Sequence, residues 1–471
     1  MIWALLGLLL PAGAVGVLLR ALGIRTSADS RTLTIAIAFC AGLGLSSLGA
    51  FWWAVLWGGI GQWFVAADCL LWTTIGVAGG LRLPQTAPHS RVPQAHPSST
   101  LAHHAARGIF ALLVVIVAVA ASAEYLASPS GHMDATLMWN LKARFMTRGG
   151  ADWTEFIHVP HANPSHPLLV SASVARLWAY AGVESTMAAA MVGAAAGAAI
   201  VATVVAGLGL RRTHAWIAGC VLIAPWAFSQ SLVAQTADLP LALYVVVTLL
   251  VILPYREAGL RDIRRRLLLA GILAGLVAWT KNEGLVFLAI IFLIAAWVAL
   301  RTGGVQQLAW FLAGAAPALV AIAWLKLALA PVAPEYLAGA RLSMVGDALI
   351  DPTRHARLIG LLWQHSLRWG GPAAVGTLPA AALAAGIVAC TRGGLAARVA
   401  LAVVGLMLAA YYTVWIVSPL NTEWLVGETS PRLLMQLWPS LVLAAFSYDV
   451  ASSPLAVDPR RKDSSEALRH R

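Results

Sequence analysis

The chain alternates long apolar runs with short polar breaks, and the runs have the length of membrane crossings. A helix needs about 20 mostly apolar residues to cross the hydrocarbon of a bilayer. Runs meeting or approaching that length lie at 2–19, 33–54, 58–80, 108–126, 185–209, 215–232, 239–254, 267–280, 284–300, 307–330, 371–390, 398–418 and 431–449. The pattern predicts an all-α polytopic membrane protein with about 13 transmembrane helices. The runs 239–254 and 267–280 are short and reach across only with help from flanking residues. The first run has no basic segment before it, so it reads as a retained span rather than a cleaved leader.

Composition agrees with that pattern. Charged side chains make up 11% of the 471 residues, whereas soluble domains carry about 25%. So few charges cannot cover a water-soluble surface of this size. The net charge of +12 then reports topology rather than a nucleic-acid partner, because Lys and Arg accumulate in loops held in the cytoplasm. Cys40, Cys69, Cys220 and Cys390 all lie in apolar stretches without CxxC spacing and read as small buried hydrophobes.

The basic loops set the orientation. Arg256, Arg261, Arg264, Arg265 and Arg266 form the densest cluster, which places that break in the cytoplasm. Alternation puts Arg20/Arg25/Arg31, Arg211–Arg212, Arg301, Arg392 with Arg398, and Arg460–Lys462 on the same side. Segments 127–184, 331–370 and 419–430 then face outward. Treating 168–182 as a span would reverse every later loop, so its apolar face and Arg176 are assigned to a helix lying along the outer interface. The chain divides into three N-terminal spans (1–80), a cytoplasmic polar linker (81–107), a membrane core (108–449) and a basic cytoplasmic tail (450–471). The linker holds His89, His96, His103 and His104, whose irregular spacing fits a solvated segment better than a metal site.

Ionisable residues beside apolar helices are costly and therefore informative, and here they crowd the outward segments. The first such stretch runs from His132 through Asp134, Trp139, Asn140, Lys142, Arg144, Arg148, Asp152 and Glu155 to His166. Read as a helix over 133–147, it starts on Asp134, where the dipole favours an acid. That carboxylate can act as a base beside an anion-binding surface made by Lys142 and Arg144, or simply cap an interfacial helix. Asp238, in Gln235-Thr-Ala-Asp-Leu-Pro240, reads first as the cap of the next helix. Lys281 and Glu283, in Thr280-Lys-Asn-Glu-Gly284, either neutralise each other or offer a point charge to a lipid phosphate. Arg432, after Glu423, is expected at the start of the last span, where it opposes the dipole unless it snorkels. Segment 351–369 is expected to be an outer loop that covers a site.

Taken in order, DATLMWNLKAR at 134–144, His166-Pro-Leu-Leu169, ADLPLA at 237–242, TKNEG at 280–284 and PRLLMQLWP at 431–439 resemble the GT-C membrane glycosyltransferases. The likeness is to bacterial members related to the aminoarabinose transferase and protein mannosyltransferase group, and it covers about residues 108–449. It implies a GT-C-like enzyme of the bacterial inner membrane with its active site facing the periplasm. The implied donor is a polyprenyl-phosphate-linked sugar, and the acceptor is a lipid, glycan or protein. The family's catalytic base corresponds to Asp134 and its second acid to Asp238. Lys281 and Arg432 would hold the departing phosphate, with Lys142 or Arg144 as substitutes. The sequence departs from the family where many relatives have an Asp-Glu pair in place of a single Asp134, which leaves a divalent metal open. Rival readings are a lipid-linked polysaccharide polymerase or ligase, and a lipid or solute transporter. A transporter would place its ionisable groups near the bilayer midplane, often in repeated halves.

Overall fold

The computed structural model describes residues 2–23, 31–83, 101–159, 162–210, 212–252, 260–302, 304–330, 342–391 and 394–447. These residues form α-helices with no strand among them. In chain order the helices are α1 (Ile2–Ala21), α2 (Arg31–Trp57), α3 (Gln62–Leu81), α4 (Leu101–Ala127), α5 (Asn140–Arg148), α6 (Leu169–Ala181), α7 (Thr186–Leu208), α8 (Thr213–Ile223) and α9 (Trp226–Val233). The second half holds α10 (Asp238–Ile252), α11 (Leu260–Thr280), α12 (Glu283–Thr302), α13 (Leu308–Trp324), α14 (Leu342–Ile350), α15 (Pro352–Arg368), α16 (Thr377–Thr391), α17 (Leu395–Val417) and α18 (Thr422–Phe446).

Among the described residues, eight helical units are long and apolar enough to cross a membrane: α1 to α4, α7, α12, α13 with its flanking turns, and α17. The pair α8 and α9 adds a ninth if it is one span. The chain is thus an all-α, multi-pass membrane protein. The larger number expected from the sequence also counts α10 and α16, which are apolar but shorter, and α11 and α18, which carry charges in their first turns.

Several boundaries differ from expectation for local reasons. The run 215–232 is bent by 70° between α8 and α9, at Pro225, which has no N–H to continue the ladder. Helix α4 starts at Leu101, inside the expected linker. The expected outer loop 419–430 is mostly the first half of α18, begun by an Asn421 cap whose side chain accepts from the Trp424 N–H at 3.0 Å. The expected loop 351–369 is α15, whose first turn is capped by Asp351. Linker residues 84–100, residues 331–341, the tail from 448, and Arg25, Arg211, Arg256 and Arg392 lie outside the described residues.

The environment expected for Arg176 is corrected. Helix α6 does not present Arg176 to an aqueous or headgroup surface, because Leu169 through Trp178 are all buried and Arg176 is 1% exposed. Its guanidinium has a partner that the alternation argument ignored, Asp68 in the middle of an apolar run. Arg176 Nε and Nη2 donate to Asp68 Oδ2 at 3.0 and 2.5 Å, and Tyr180 donates to the same oxygen at 2.6 Å. Trp72 Nε1 donates to Oδ1 at 3.0 Å, and Arg176 Nη1 also donates to the Gly7 carbonyl of α1. Four polar groups thereby satisfy one buried carboxylate, which makes burial of the pair tolerable.

The three N-terminal helices share one core with the rest. Tyr244 of α10 donates to the Cys40 carbonyl of α2 at 2.9 Å, and Trp279 of α11 donates to Ser47 of α2 at 3.1 Å. Helices α11 and α13 pack backbone to backbone at Gly271 and Gly314. A Cβ at these positions would come 2.0 Å from the Phe311 carbonyl oxygen and 2.1 Å from that of Leu268. Small residues at such crossings are how membrane helices gain contact without a hydrophobic driving force between them.

Replacing Arg176 with Met leaves Asp68 buried without its cation and should cost about 3–5 kcal/mol. Thermal unfolding of the purified protein in detergent should show this as a lowered midpoint. The double variant Asp68→Asn/Arg176→Met should unfold at a higher temperature than Arg176→Met alone.

Candidate active site

The site is built where α10 begins, α11 turns into α12, and α18 passes by. Helix α11 ends at Thr280 and α12 starts at Glu283, so Lys281 and Asn282 form a two-residue turn. The turn is tight because Gly284 has no side chain, since a Cβ there would come 2.0 Å from the Val277 carbonyl oxygen. This brings Lys281 to the head of α10. Its Nζ donates to Asp238 Oδ1 at 3.1 Å and lies 2.8 Å from Glu283 Oε1. Burial opposes the lysine's charge, but the carboxylates of Asp238 and Glu283 outweigh it and hold the pKa above its ordinary value.

The other wall is α18. Arg432 was expected at a helix start, but it sits well inside α18, so the dipole objection to it falls away. Pro431 interrupts the helix ladder just before it, and the Pro431 carbonyl accepts from Trp369 Nε1 at 2.9 Å. Arg432 spreads its fork over two acids. Nε donates to Asp238 Oδ2 at 2.9 Å, and Nη1 donates to Asp134 Oδ2. One turn on, Gln436 donates to Asp238 Oδ1 at 2.7 Å while accepting from Tyr411 of α17 at 2.7 Å.

Asp238 is therefore not a simple helix cap, as the sequence first indicated. It is 2% exposed, and its carboxylate takes Lys281, Arg432 and Gln436 from two other parts of the chain, the α11–α12 turn and α18. Asp134 differs from it. Its side chain is 28% exposed, and it precedes a π-helical turn, Ala135–Trp139, that leads into α5 in place of the single helix expected over 133–147. It makes no side-chain cap bond. Its backbone N–H donates to His132 Nδ1 at 3.2 Å, so that ring nitrogen is an acceptor. Asp134, Arg432, Asp238, Lys281 and Glu283 thus form one unbroken line of ion pairs.

The other two expected binding residues are placed elsewhere. Lys142 is fully buried, donates to the Asn163 carbonyl at 2.7 Å and the His166 carbonyl at 3.4 Å, and stands over the rings of Trp139 and Phe156. Arg144 Nε lies 3.5 Å from Glu184, which also takes Arg148 in a two-pronged pair. Both expected phosphate ligands instead tie α5 to residues 163–184, because the turn of α5 aims them there.

Sequence reasoning missed Gln436, Tyr411, Asn282 and Lys326. Lys326 lies in a second π-helical turn, Leu325–Leu329, and donates to Asn282 Oδ1 and the Ser165 carbonyl, each at 2.9 Å. The available signal was a lone lysine near the end of the apolar run 307–330. Also missed was the clamp that sets the two acids' segments side by side. Asn140 donates to Gln235 at 2.7 Å, and Gln235 donates to the Pro129 carbonyl at 2.7 Å. Gln235 holds φ +58, a left-handed conformation unusual for a residue with a side chain.

Among the described residues, no three His, Cys, Asp or Glu side chains converge as a metal site requires. Asp134 and Asp238 meet across the Arg432 guanidinium, the place a shared divalent ion would take. This donor set is that of an ion-pair network rather than a metal centre. Comparison with known proteins finds no matching family model, no matching curated protein and no matching solved structure.

The two acids should respond differently to neutralisation. Asp238→Asn removes a buried charge shared by two cations and should cost about 3–5 kcal/mol, whereas Asp134→Asn, partly solvated, should cost about 1 kcal/mol or less. Thermal unfolding of both variants in the same detergent gives the comparison.

Proposed function

We propose that this chain is a membrane glycosyltransferase that moves a sugar from a polyprenyl-phosphate carrier to an acceptor hydroxyl. In this reading the protein crosses the bacterial inner membrane about 13 times, and the network of Asp134, Arg432, Asp238, Lys281 and Glu283 faces the periplasm. The observation that carries the reading is the joining of these five residues. They come from separate segments whose order resembles the GT-C enzymes, and contacts among them bridge as many as 298 positions of sequence.

The acids divide the work by exposure. Asp134 is the more accessible carboxylate and accepts the acceptor's hydroxyl proton. The acceptor oxygen then forms its bond to the anomeric carbon as the carbon–oxygen bond to the carrier phosphate breaks. The phosphate leaves with the electron pair, and a single displacement inverts the anomeric centre. Asp238 is buried and its oxygens are occupied, so it acts through Arg432 and Lys281, keeping both in place. A transporter reading is less well supported. Transporters are often built from repeated halves, and the sequence shows no internal duplication.

Purified protein incubated with polyprenyl-phosphate sugars should release the carrier. Asp134→Asn should lower that turnover by at least about 100-fold and still elute from detergent as a folded monodisperse species. Undiminished turnover in a folded variant would remove Asp134 from the role of base.

A further inference from the structure

Two helices begin side by side at the end of the bundle that carries the α11 arginines. Gly207 of α7 packs on Leu250 of α10, and the neighbouring Val251 carbonyl accepts from Arg266, so the turn from α7 to α8 lies at that end. Helices α4 and α8 advance from it together, Arg107 meeting Trp216 and Phe110 meeting Gly219. The first turn of α4, with His103 and His104, is therefore level with the start of α8. Neither first turn holds an acid. The chain has no Asp or Glu between Asp68 and Glu124, nor between Glu184 and Asp238. The positive ends of two helix dipoles thus lie together beside Arg107 and Arg212, an arrangement that an anion relieves.

We propose that the paired starts of α4 and α8 bind the headgroup of an anionic glycerophospholipid. Arg107 lays its guanidinium over the Trp216 ring, 5.4 Å from the centre, and among the described residues it has no hydrogen bond or ion pair. The ring takes the flat face of the guanidinium and leaves its N–H edge for a phosphate. Trp216 is itself held, since its Nε1 donates to the Leu210 carbonyl at 3.0 Å and the Phe110 ring packs 5.4 Å away. His103, expected in a solvated linker, is 8% exposed, and its Nδ1 is buried without a hydrogen-bond partner. Such a nitrogen is costly to leave unpaired. His103, Ala106 and Phe110 share one stripe of α4, at i, i+3 and i+7. Phe110 faces α8, so the imidazole of His103 is directed at the α8 start. With its proton on Nδ1 it donates to a phosphate oxygen. The N-cap residue of α8 is Arg212, whose side chain offers no acceptor to the first N–H groups of that helix.

The surface beside the cluster identifies a lipid as the source of the phosphate. Arg107, Val114 and Ala118 lie on one side of α4, at i, i+7 and i+11. Val114 and Val115 are 42% and 59% exposed, and with Ala118 they form the near end of an open, largely apolar groove that runs on to Leu126. Acyl chains can lie there while the phosphodiester stays at Arg107. A free phosphate ion would leave the groove unused, and a zwitterionic lipid would bring an ammonium into a basic corner. In the proposed orientation the site is in the cytoplasmic leaflet. It lies at the other end of α11 from Lys281, so it does not depend on the glycosyltransferase reading.

The test uses the full chain in detergent, stripped of copurified lipid and titrated with phosphatidylglycerol, phosphatidylcholine or inorganic phosphate, with bound lipid counted by native mass spectrometry. Wild type should bind the first phosphatidylglycerol at least about fivefold tighter than phosphatidylcholine. Arg107→Gln should lose that preference and keep the thermal midpoint of the lipid-free wild type. His103→Phe, which keeps a ring and removes the donor, should weaken phosphatidylglycerol binding at least about threefold. Arg301, which stands over Trp297 at 5.9 Å in the last turn of α12, is the control, and Arg301→Gln should leave the preference unchanged. A preference retained in both Arg107→Gln and His103→Phe overturns the site. Equal losses in Arg107→Gln and Arg301→Gln also overturn it, because they report a general attraction of basic residues to anionic lipid. So does a wild type that binds the two lipids equally. Displacement of bound phosphatidylglycerol by inorganic phosphate overturns the lipid as the source.

Discussion

The arrangement depends on the buried carboxylate of Asp238. A charge with 2% exposure at the head of an apolar helix is tolerable only if its oxygens are fully engaged. Lys281, Arg432 and Gln436 do this, and they come from the turn after α11 and from the interior of α18. Three segments distant in sequence must therefore arrive together. Arg432 has a second hydrogen-bonding arm, which reaches Asp134 and so draws the segment before α5 into the same cluster. The surrounding contacts serve this meeting. The Asn140–Gln235 clamp aligns the segments of the two acids, and Lys142 holds the 163–166 loop against them.

The opposite end of the bundle has a different character. Arg264, Arg265 and Arg266 of α11 donate to Gln307, to the Gly23 carbonyl and to the Val251 carbonyl, which gathers the ends of α1, α10 and α13. These arginines and Lys281 lie at opposite ends of one helix, separated by about 24 Å at 1.5 Å per residue. That distance approaches the thickness of a bilayer's hydrocarbon core. Helix α11 therefore holds the basic end and the acidic network apart, and its glycine contact with α13 carries Lys326 up beside Asn282.

Much of the helical framework was legible in the sequence, because an apolar run long enough to cross a membrane has few other uses. What was not legible turned on partners remote in sequence. Arg176 looked like a surface residue until Asp68, more than a hundred positions earlier, is placed beside it. Arg432 looked misplaced because the polar residues before it resembled a loop, although Asn421 starts the helix well upstream. The break at Pro225 was visible as a residue but not as a bend, since a proline inside an apolar run is also compatible with a straight crossing. Of the ion-pair network, the acids and Lys281, Glu283 and Arg432 stood out because charge beside apolar helices is rare. Lys142 and Arg144 bond elsewhere, to residues 163–184, because a cation near a carboxylate in sequence need not face it in space. Gln436 and Tyr411 gave no signal, being ordinary residues in ordinary helices until Asp238 needs them.

The most direct test of the network is a double-mutant cycle between Asp238 and Arg432. Thermal or denaturant unfolding would be measured for the wild type, Asp238→Asn, Arg432→Gln and the double variant in one detergent. The account predicts strong coupling, with the double variant more stable than the sum of the two losses implies by about 1–3 kcal/mol. Losses that simply add, within about 0.5 kcal/mol, would contradict it, because residues that share a buried charge cannot be removed independently.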